Sequence, residues 1–379
     1  MASAHKGRLS ELDALRGLGA LLVVNFHYAT RFHELFPGAR HVPFHLFGGN
    51  YRVLLFFAIS GFAIFFSMNK VRAAADFIVN RAVRLLPAYW VALMLTLTVE
   101  HLGHMTALYI APMAALANLT MLEQFFFLPP VDGAYWTLTV EIAFYVCMLG
   151  LWLVFRLRNI ERLILGWLLL KLLFALAWPD MPERLVMLLI LRYVPFFAIG
   201  MVSYRVWAGQ RSWRQQIPVI AGILMTIAVC ETPDLLLAGV ILVGCFGAML
   251  AGNLRWLCWA PLLWIGQISY SLYLVHQHIG FTIMYNMDRA GIAPGIGYAV
   301  AVVAAIVLGA LIHYLVERPV GRVLQQQWRD WRGRRSDPKM ATVPAVSLIE
   351  PSLAPAEPQP DQLGAPVRVL TSRASPPPD

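Results

Sequence analysis

Long apolar segments separated by short polar loops recur along most of the chain. A helix that crosses the hydrocarbon core of a membrane needs about 20 mostly apolar residues. Ten such spans are predicted, near residues 12–31, 51–69, 85–102, 136–155, 162–178, 185–207, 216–231, 235–252, 262–285 and 293–316. No internal repeat accompanies them. The pattern predicts an all-α fold, a polytopic transmembrane helical bundle of about ten spans.

The apolar segment from Met105 to Phe127 is left out of the ten spans, although it is long enough to cross a membrane. Pro112, Asn118 and Glu123 interrupt it. Counting it would reverse the orientation of every later loop and place the arginines that follow span four outside, against the preference of basic loops for the cytoplasm. We expect a re-entrant or interfacial segment on the outer side.

Basic residues are distributed unevenly between the loops. If the N-terminus is cytoplasmic, the outer loops after the first carry only Arg184 and Arg289 as basic residues. The inner loops hold Lys70, Arg72, Arg81, Arg84, Arg156, Arg158, Arg162, Arg205, Arg211, Arg214 and Arg255. This asymmetry predicts that both termini are cytoplasmic.

The first outer loop is the exception to this charge rule. It contains Arg31, Arg40, Arg52, His33, His41 and His45. Such a loop would suit an anionic or polar acceptor, although exposed arginines and histidines more often have no specific partner.

Composition supports a membrane protein, since 59% of the 379 residues are hydrophobic and 13% are charged. The net charge of +9 lies mostly in short loops and after Glu317, which indicates membrane orientation rather than nucleic-acid binding. The four cysteines lack CxxC spacing, so free thiols and no metal site are expected.

The N-terminal part of the chain is expected to be a membrane helix, and the C-terminal part a disordered tail. No convincing small-residue cleavage site follows the first span, so it is predicted to remain as a helix. Residues 1–335 are predicted to form one transmembrane domain. Residues 336–379 are Pro-rich and lack apolar periodicity, which predicts a disordered cytoplasmic tail.

The first span carries two polar residues that are costly in lipid, Arg16 and His27. An intramembrane charge costs roughly 2.5–3.5 kcal/mol on insertion scales, so such groups usually face a protein interior or a water-filled site. The two residues are eleven positions apart, which returns to nearly the same helix face about 16 Å further along. One helix face therefore presents both side chains.

His27, Glu141 and Arg192 are predicted to share one layer near the outer side. A carboxylate beside an imidazole orients the ring, which makes His27 a candidate base or nucleophile and Glu141 its partner or an acceptor-binding group. The alternative is structural pairing, for example of Glu141 with Arg192. The concentration of three ionisable groups in one layer favours a functional site.

Arg81 and Arg84 are three positions apart at the inner end of span three, so they are neighbours on a helix surface. Paired guanidiniums suit a diphosphate because each offers a planar fork of donors. The same two residues also fit ordinary anchoring at a cytoplasmic membrane surface.

Four other polar features lie within the spans. Ser60 and Gly61 stand in mid-span, where small residues permit the close approach of a ligand or of a neighbouring helix. Lys171 has no evident partner. His276 and His278 add polar groups to span nine, and His313 with Glu317 fits a pair one helical turn apart.

Several motifs occur in a characteristic order: LDALRG with His27 eleven residues after Arg16, FFAISGF, RAVRLLPAYW, YWTLTVEIAFY, RYVPFFAIGM, ISYSLYLVH and VERP. As a set, over about residues 9–320, they resemble the acyltransferase-3 family of membrane O-acyltransferases, which includes enzymes that acetylate exopolysaccharides, O-antigens and nodulation factors. The resemblance implies a bacterial inner-membrane protein with ten core helices, an acyl-CoA donor such as acetyl-CoA, a carbohydrate acceptor and no permanently bound cofactor.

The resemblance also implies roles for individual residues. His27 would be the catalytic histidine with Arg16 as its companion, and Arg81 and Arg84 would bind acyl-CoA. Ser60 and Gly61 would belong to the same site, and Glu141 and Arg192 would follow with weaker support. A hydrolase-like domain found after span ten in some members is not evident, so a peptidoglycan acetylation relay is not expected.

Two mechanisms and two rival functions stay open. His27 would act as a general base for direct transfer, or would carry the acyl group transiently. A transporter or flippase would use the same charged residues as a path without chemical change. A structural membrane component would not need His27. The acceptor sugar, the acyl chain and the oligomeric state are not specified.

Overall fold

The computed structural model describes residues 9–42, 51–68, 71–157, 159–178 and 180–336. Every regular element in these ranges is helical. The α-helices are α1 Ser10–Phe26, α2 Phe32–Leu35, α3 Arg52–Met68, α4 Ala74–Leu102, α5 Pro112–Asn118, α6 Trp136–Phe155, α7 Ile160–Ala177, α8 Glu183–Leu188, α9 Val194–Trp207, α10 Trp213–Cys230, α11 Pro233–Leu250, α12 Ala260–Val275, α13 Gln277–Arg289, α14 Pro294–Ile312 and α15 Arg318–Ser336. Two π-helical segments, His27–Arg31 and His313–Glu317, join α1 to α2 and α14 to α15.

The predicted all-α fold is confirmed, and helices occupy the positions of the predicted spans. Five helical stretches are long and apolar enough to cross a membrane, judged by length and composition: Ala74–Leu102, Gly133–Phe155, Trp213–Cys230, Pro233–Leu250 and Pro294–Arg334. Three shorter apolar helices are Arg52–Met68, Val194–Trp207 and Ala260–Val275. The number of spans and the side of each terminus stay predictions.

Two predicted spans are broken. The span predicted at 185–207 consists of α8 and α9, with Ile190 in the left-handed region between them. The span predicted at 262–285 consists of α12 and α13, which meet at His276. Hydropathy averages over such breaks, so it does not reveal them.

Two helices extend beyond the predicted limits. α4 begins at Ala74, eleven residues before the apolar run, so Arg81 and Arg84 lie inside a continuous helix. Its Pro87 is accommodated within the helix. The helix after His313–Glu317 continues as the polar α15, whose Trp328 donates a hydrogen bond to Asp76 at 3.0 Å. This hydrogen bond joins the first turn of α4 to the second half of α15.

The segment excluded from the spans is broken into short turns. It contains Thr106–Leu108, α5 and Glu123–Phe126, none of which is long enough to cross a membrane. Asn118 holds the segment together, because its amide donates to the carbonyls of Ala114 and Pro129 and its oxygen accepts from the Val131 amide. The prediction that this segment is not a transmembrane helix agrees with the observed elements.

Glycines permit close crossings between helices, and two of these crossings position α1 and α3. α1 packs on α12, where a β-carbon on Gly17 would clash with the carbonyl of Leu262 and one on Gly266 with the carbonyl of Asp13. α3 packs on α9, where Gly61 faces the carbonyl of Phe197 and Gly200 the carbonyl of Ala58. Backbones approach this closely only without a side chain between them.

Ion pairs connect helices that are distant in sequence. Lys171, for which the sequence offered no partner, is buried and lies 2.5 Å from Glu231. Arg205 and Arg211 both contact Glu161, at 3.1 and 3.4 Å. The bundle thus uses these charges to connect α7 with the ends of α9 and α10.

Arg31 and Arg40 form ion pairs in the described part of the loop after α1, which is the predicted first outer loop. Arg40 contacts Asp288 at 2.6 Å and donates to the carbonyl of Ile292, which fastens this loop to the end of α13. Arg31 contacts Glu34 at 2.6 Å. These two arginines therefore hold protein partners, which is the structural alternative to an acceptor-binding role.

The chain divides into two compact units, Met1–Asp330 and Trp331–Asp379. Of the second unit, the structure describes the end of α15. The predicted disordered tail falls almost entirely on residues 337–379, outside the described residues. Lys70, Arg158 and His45, which the charge analysis included, are also outside them.

Candidate active site

His27 lies where α1 changes its hydrogen-bonding pattern. The residue begins the π-helical segment His27–Arg31, and its side chain is partly buried. Single π-helical turns inside α-helices are rare and occur frequently at functional sites. The sequence does not predict this π-helical segment, because the apolar pattern continues through it.

His27 and His276 form a directed chain of hydrogen bonds. His27 Nδ1 lies 2.9 Å from the carbonyl of Val23 and 3.0 Å from Nε2 of His276. His276 Nδ1 lies 2.7 Å from the carbonyl of Tyr273. A carbonyl only accepts, so each Nδ1 carries a proton, and His276 Nε2 accepts from His27. His27 Nε2 is left with its lone pair.

The histidine pair is held firmly from both sides. His276 is fully buried, and Tyr28, next to His27, donates its hydroxyl proton to the His276 carbonyl at 2.5 Å. The crossing of α1 and α12 at Gly17 and Gly266 brings the two helices together. His27 is therefore oriented before any substrate arrives, which favours proton transfer.

A small cavity, here called the histidine cavity, opens beside His27. Its volume is about 50 Å³. It is lined by Val23, Phe26, His27, Arg52, Val53, Trp136, Thr137 and Tyr273. The Arg52 guanidinium lies 5.3 Å from the centre of the Phe26 ring, which adds a cation to this wall.

A second cavity, the central cavity, contains the predicted carboxylate. Glu141 Oε1 accepts hydrogen bonds from Ser60 at 3.0 Å and from Tyr145 at 2.5 Å. The volume is about 90 Å³. The lining consists of Arg16, Val53, Phe56, Phe57, Ile59, Ser60, Arg84, Leu85, Thr137, Leu138, Glu141, Ser269, Tyr270 and Tyr273.

A third and larger cavity, the cationic vestibule, lies at the other end of α1. Its volume is about 560 Å³. Five arginines and two carboxylates line it, so the wall is predominantly positive. The lining is Asp13, Arg16, Asn80, Arg81, Arg84, Gly266, Gln267, His313, Glu317, Arg318, Gly321, Arg322 and Gln325.

The three cavities follow one another along α1. Arg16 and Arg84 belong to the walls of both the vestibule and the central cavity. Val53, Thr137 and Tyr273 belong to the walls of both the central and the histidine cavity. Helix α1 spans the series, with Arg16 at one end and His27 about 16 Å away at the other.

The polar groups of the vestibule are partly paired. Glu317 accepts from His313 at 2.9 Å and from Ser271 at 2.7 Å, so the predicted His313–Glu317 pair is present. Arg16 lies 3.8 Å from Asp13. Paired carboxylates leave the vestibule with a net positive wall that suits a multiply charged anion.

Most predicted site residues come together, but two do not. Arg16, Ser60, Arg84 and Glu141 line the central cavity, and Arg81 lines the vestibule with Arg84. Gly61 instead lies in the α3–α9 crossing and lines none of the three cavities, which agrees with the alternative that this glycine permits close helix packing; its part in the donor site stays a prediction.

Arg192 is the second residue that lies apart from the cavities. It pairs with Glu183 at 3.1 Å, its side chain is 58% exposed, and it lines none of the three cavities. The alternative pair of Arg192 with Glu141 is not found, because Glu141 bonds to Ser60 and Tyr145. A role of Arg192 in the site stays a prediction.

The partner of His27 also differs from the expected one. Glu141 bonds to Ser60 and Tyr145, whereas His276 contacts His27. Glu141 therefore shapes the central cavity rather than orienting the imidazole. The sequence shows His276 as a histidine within an apolar run. It does not show the pairing, because His276 is 249 positions away from His27.

A second buried histidine supports the wall of the site. His278 Nδ1 contacts Glu100 at 2.5 Å, its Nε2 accepts from the Gly133 amide, and its backbone amide donates to Asp132. Both ring nitrogens are thus occupied within the protein. This cluster fixes the turn before α6, which carries Thr137 into the central cavity.

The described residues do not form a cluster of metal ligands. Among them, no group of three or more His, Cys, Asp or Glu side chains is placed to hold an ion.

Comparison with known proteins places the chain in a family. The model of the acyltransferase domain known as acyltransferase family 3 matches residues 9–315. The exopolysaccharide production protein ExoZ of Rhizobium meliloti (strain 1021) is 29% identical, over 76% of this chain and 94% of the relative. No solved structure matches the chain significantly.

The chain belongs to the acyltransferase-3 family. With its apolar helices, it is an all-helical membrane acyltransferase.

Proposed function

We propose that this protein is a multi-pass enzyme of the bacterial cytoplasmic membrane that transfers an acetyl group from acetyl-CoA to a hydroxyl of a cell-surface or exported carbohydrate. The observation that carries the proposal is the series of cavities from the cationic vestibule through the central cavity to His27. A path of this kind has a positive end for the donor head group and a base at its other end.

The negative charge of the donor directs it to the arginines of the cationic vestibule. Arg81 and Arg84 bind the diphosphate of CoA in the vestibule, because paired guanidiniums offer forked donors to phosphate oxygens. Arg84 also lines the central cavity, so an arm attached to the diphosphate enters that cavity directly. With the predicted cytoplasmic N-terminus, the vestibule faces the compartment that contains acyl-CoA.

The size of the inner cavities supports a short acyl group. The central cavity measures about 90 Å³ and the histidine cavity about 50 Å³. Because the arm of the donor occupies the central cavity, the acyl group is left with the histidine cavity; a two-carbon group suits that space, whereas a long chain would have to displace packed aromatic side chains. Acetyl is therefore the proposed acyl group.

His27 supplies the chemistry. Its Nε2 takes the proton of the acceptor hydroxyl while the hydroxyl oxygen attacks the thioester carbon. The C–S bond then breaks, and the imidazolium returns the proton to the CoA thiolate. The thioester is already activated, so a positioned base is sufficient. The Val23 carbonyl and Nε2 of His276 both accept from the single Nδ1 proton of His27, which leaves Nε2 free for this role.

A covalent variant of the mechanism uses the same nitrogen. His27 Nε2 attacks the thioester carbon, the C–S bond breaks and the CoA thiolate leaves. The acceptor hydroxyl oxygen then attacks the acetyl carbon, the C–Nε2 bond breaks, and the freed Nε2 takes the hydroxyl proton and releases it to solvent, from which the thiolate is protonated. This variant suits a donor on one side of the membrane and an acceptor on the other. Trapping of acetylated His27 with donor alone distinguishes it from direct transfer.

The acceptor is proposed from a relative and from the predicted topology. ExoZ is named for exopolysaccharide production. His27 lies at the predicted outer end of α1, where an exported carbohydrate would meet the acetyl group. The hydroxyl would approach through the histidine cavity, beside Arg52 and Thr137.

The test is transfer of label from [acetyl-¹⁴C]acetyl-CoA to surface carbohydrate in membranes with matched amounts of protein. We expect transfer by wild type, its loss in His27→Ala, and its retention in His101→Ala, a control in which an exposed histidine outside the three cavities is replaced. Equal transfer by wild type and His27→Ala would remove His27 from the mechanism. Movement of unmodified glycan without labelling would support a transporter instead.

A further inference from the structure

Two arginines of the cationic vestibule are not used by the proposed transfer reaction. Arg318 and Arg322 are four positions apart on α15, so both project to the same helix face. Both line the vestibule and both are exposed. Within the described part of the chain, no hydrogen bond or ion pair engages either guanidinium.

Of the vestibule arginines on α4 and α15, Arg84 is the one that also lines the central cavity. Arg84 lines both the vestibule and the central cavity, whereas Arg318 and Arg322 line the vestibule without reaching the central cavity. A ligand that enters the central cavity past Arg84 thus has a second cationic group beside its outer part.

CoA has phosphate groups at two places that match this order. The diphosphate is attached directly to the pantetheine arm that carries the thioester. The 3′-phosphate is attached to the ribose, beyond the diphosphate. A donor whose arm lies in the central cavity therefore presents its diphosphate near Arg84 and its 3′-phosphate further out in the vestibule.

We propose that Arg318 and Arg322 bind the 3′-phosphate of the acyl-CoA donor. This inference rests on the proposed function, because it assumes that acyl-CoA occupies the vestibule. A phosphate monoester carries nearly two charges and accepts several hydrogen bonds, so two neighbouring guanidiniums are a fitting partner. The pair gives the enzyme a preference for CoA over 3′-dephospho-CoA.

The test is binding of CoA and of 3′-dephospho-CoA to the full-length protein in lipid nanodiscs. We compare wild type, the double variant Arg318→Gln/Arg322→Gln, Arg84→Gln and the control Arg329→Gln. Arg329 lies on the same helix but bonds to Gln326 and does not line the vestibule. Matching thermal unfolding midpoints verify that the variants are folded.

The inference predicts a specific change in the ratio of the two affinities. Wild type binds CoA roughly tenfold more tightly than 3′-dephospho-CoA, because 3′-dephospho-CoA lacks the phosphate that forms charge-assisted hydrogen bonds with Arg318 and Arg322. The double variant loses most of this preference while its affinity for 3′-dephospho-CoA stays within about twofold. Arg84→Gln weakens binding of both ligands and keeps the ratio, and Arg329→Gln changes neither affinity.

Equal weakening of both ligands in the double variant would overturn the inference, since the two arginines would then act as a general positive field or hold a lipid phosphate. An unchanged ratio would overturn it as well. If wild type binds CoA and 3′-dephospho-CoA equally, this inference alone fails. If wild type binds neither, the proposed donor fails together with it.

Discussion

The Nε2 atom of His276 lies 3.0 Å from the Nδ1 atom of His27. The two imidazoles come from helices at opposite ends of the chain, and carbonyl acceptors define the direction of the proton on each ring. The pair therefore assigns to His27 the tautomer that a general base requires.

The first prediction concerns the role of His276 in positioning. His276→Ala should lower kcat by roughly 10-fold, because the His27 ring loses one of its two acceptors while the Val23 carbonyl remains. The KM for acetyl-CoA should stay nearly unchanged, since His276 lies outside the vestibule. His276→Gln should recover part of the rate, because its amide oxygen can accept from His27 Nδ1. A rise in KM with an unchanged kcat would contradict a positioning role.

The second prediction concerns Arg81 and Arg84. Changing both to Lys keeps the charge but removes the forked geometry, so the KM for acetyl-CoA should rise roughly tenfold. The matched control is Arg156→Lys, which changes an exposed arginine stacked on Trp152 at the end of α6. The measurement is initial transfer rate against donor concentration. An unchanged KM in the double variant would refute diphosphate recognition by this pair.

The third prediction concerns the space beside Ser60. Ser60→Ala removes one hydrogen bond to Glu141, worth about 1 kcal/mol, and should leave most of the transfer activity. Ser60→Leu adds a branched side chain to a cavity of about 90 Å³ and should abolish transfer by blocking the arm of the donor. Turnover and thermal unfolding are measured together. Full activity of a folded Ser60→Leu protein would show that the donor takes another route.

The fourth prediction separates packing from chemistry at Gly61. Gly61→Ala should destabilise the protein by about 1–3 kcal/mol, because the new methyl group meets the carbonyl of Phe197. Gly150→Ala is the control, since a β-carbon there meets open space within a helix. That change should be neutral or slightly stabilising. Thermal unfolding in detergent compares the two, and equal midpoints would contradict the assigned packing role.

The fifth prediction concerns the buried pair Lys171–Glu231. The side chains are 5% and 21% exposed and lie 2.5 Å apart. Lys171→Met should cost about 3–5 kcal/mol, because the carboxylate of Glu231 loses its partner. Adding Glu231→Gln to Lys171→Met should recover most of the lost stability, because it removes the unpaired carboxylate. A double-mutant cycle on the unfolding free energy measures the coupling, and strictly additive effects would disprove it.

Much of the fold could be predicted from hydropathy because each span is a local, continuous signal. The predicted positions of the helices agree with the structure, and the Arg16–His27 spacing places both residues on a helix that lines the site. The helix breaks at Ile190 and His276 could not be predicted from hydropathy, because they fall within apolar runs. Their geometry depends on packing against other helices.

The site was predictable where residues act along one helix and not where they meet across helices. Arg81 with Arg84, and His313 with Glu317, follow from helical spacing. His27 with His276 and Lys171 with Glu231 depend on which helices cross, and sequence separation gives no information about that. The pair of Arg192 with Glu183 was likewise not predicted, because the sequence does not show that the span breaks at Ile190 between them.

Cryo-electron microscopy of the protein with a non-hydrolysable acetyl-CoA analogue tests the central claim most directly. The account predicts the diphosphate at Arg81 and Arg84, the arm in the central cavity, and the acyl carbonyl carbon with room for an acceptor oxygen at about 3–3.5 Å, within reach of His27 Nε2. A bound analogue whose arm lies outside the central cavity, with its acyl group remote from His27, would contradict the account.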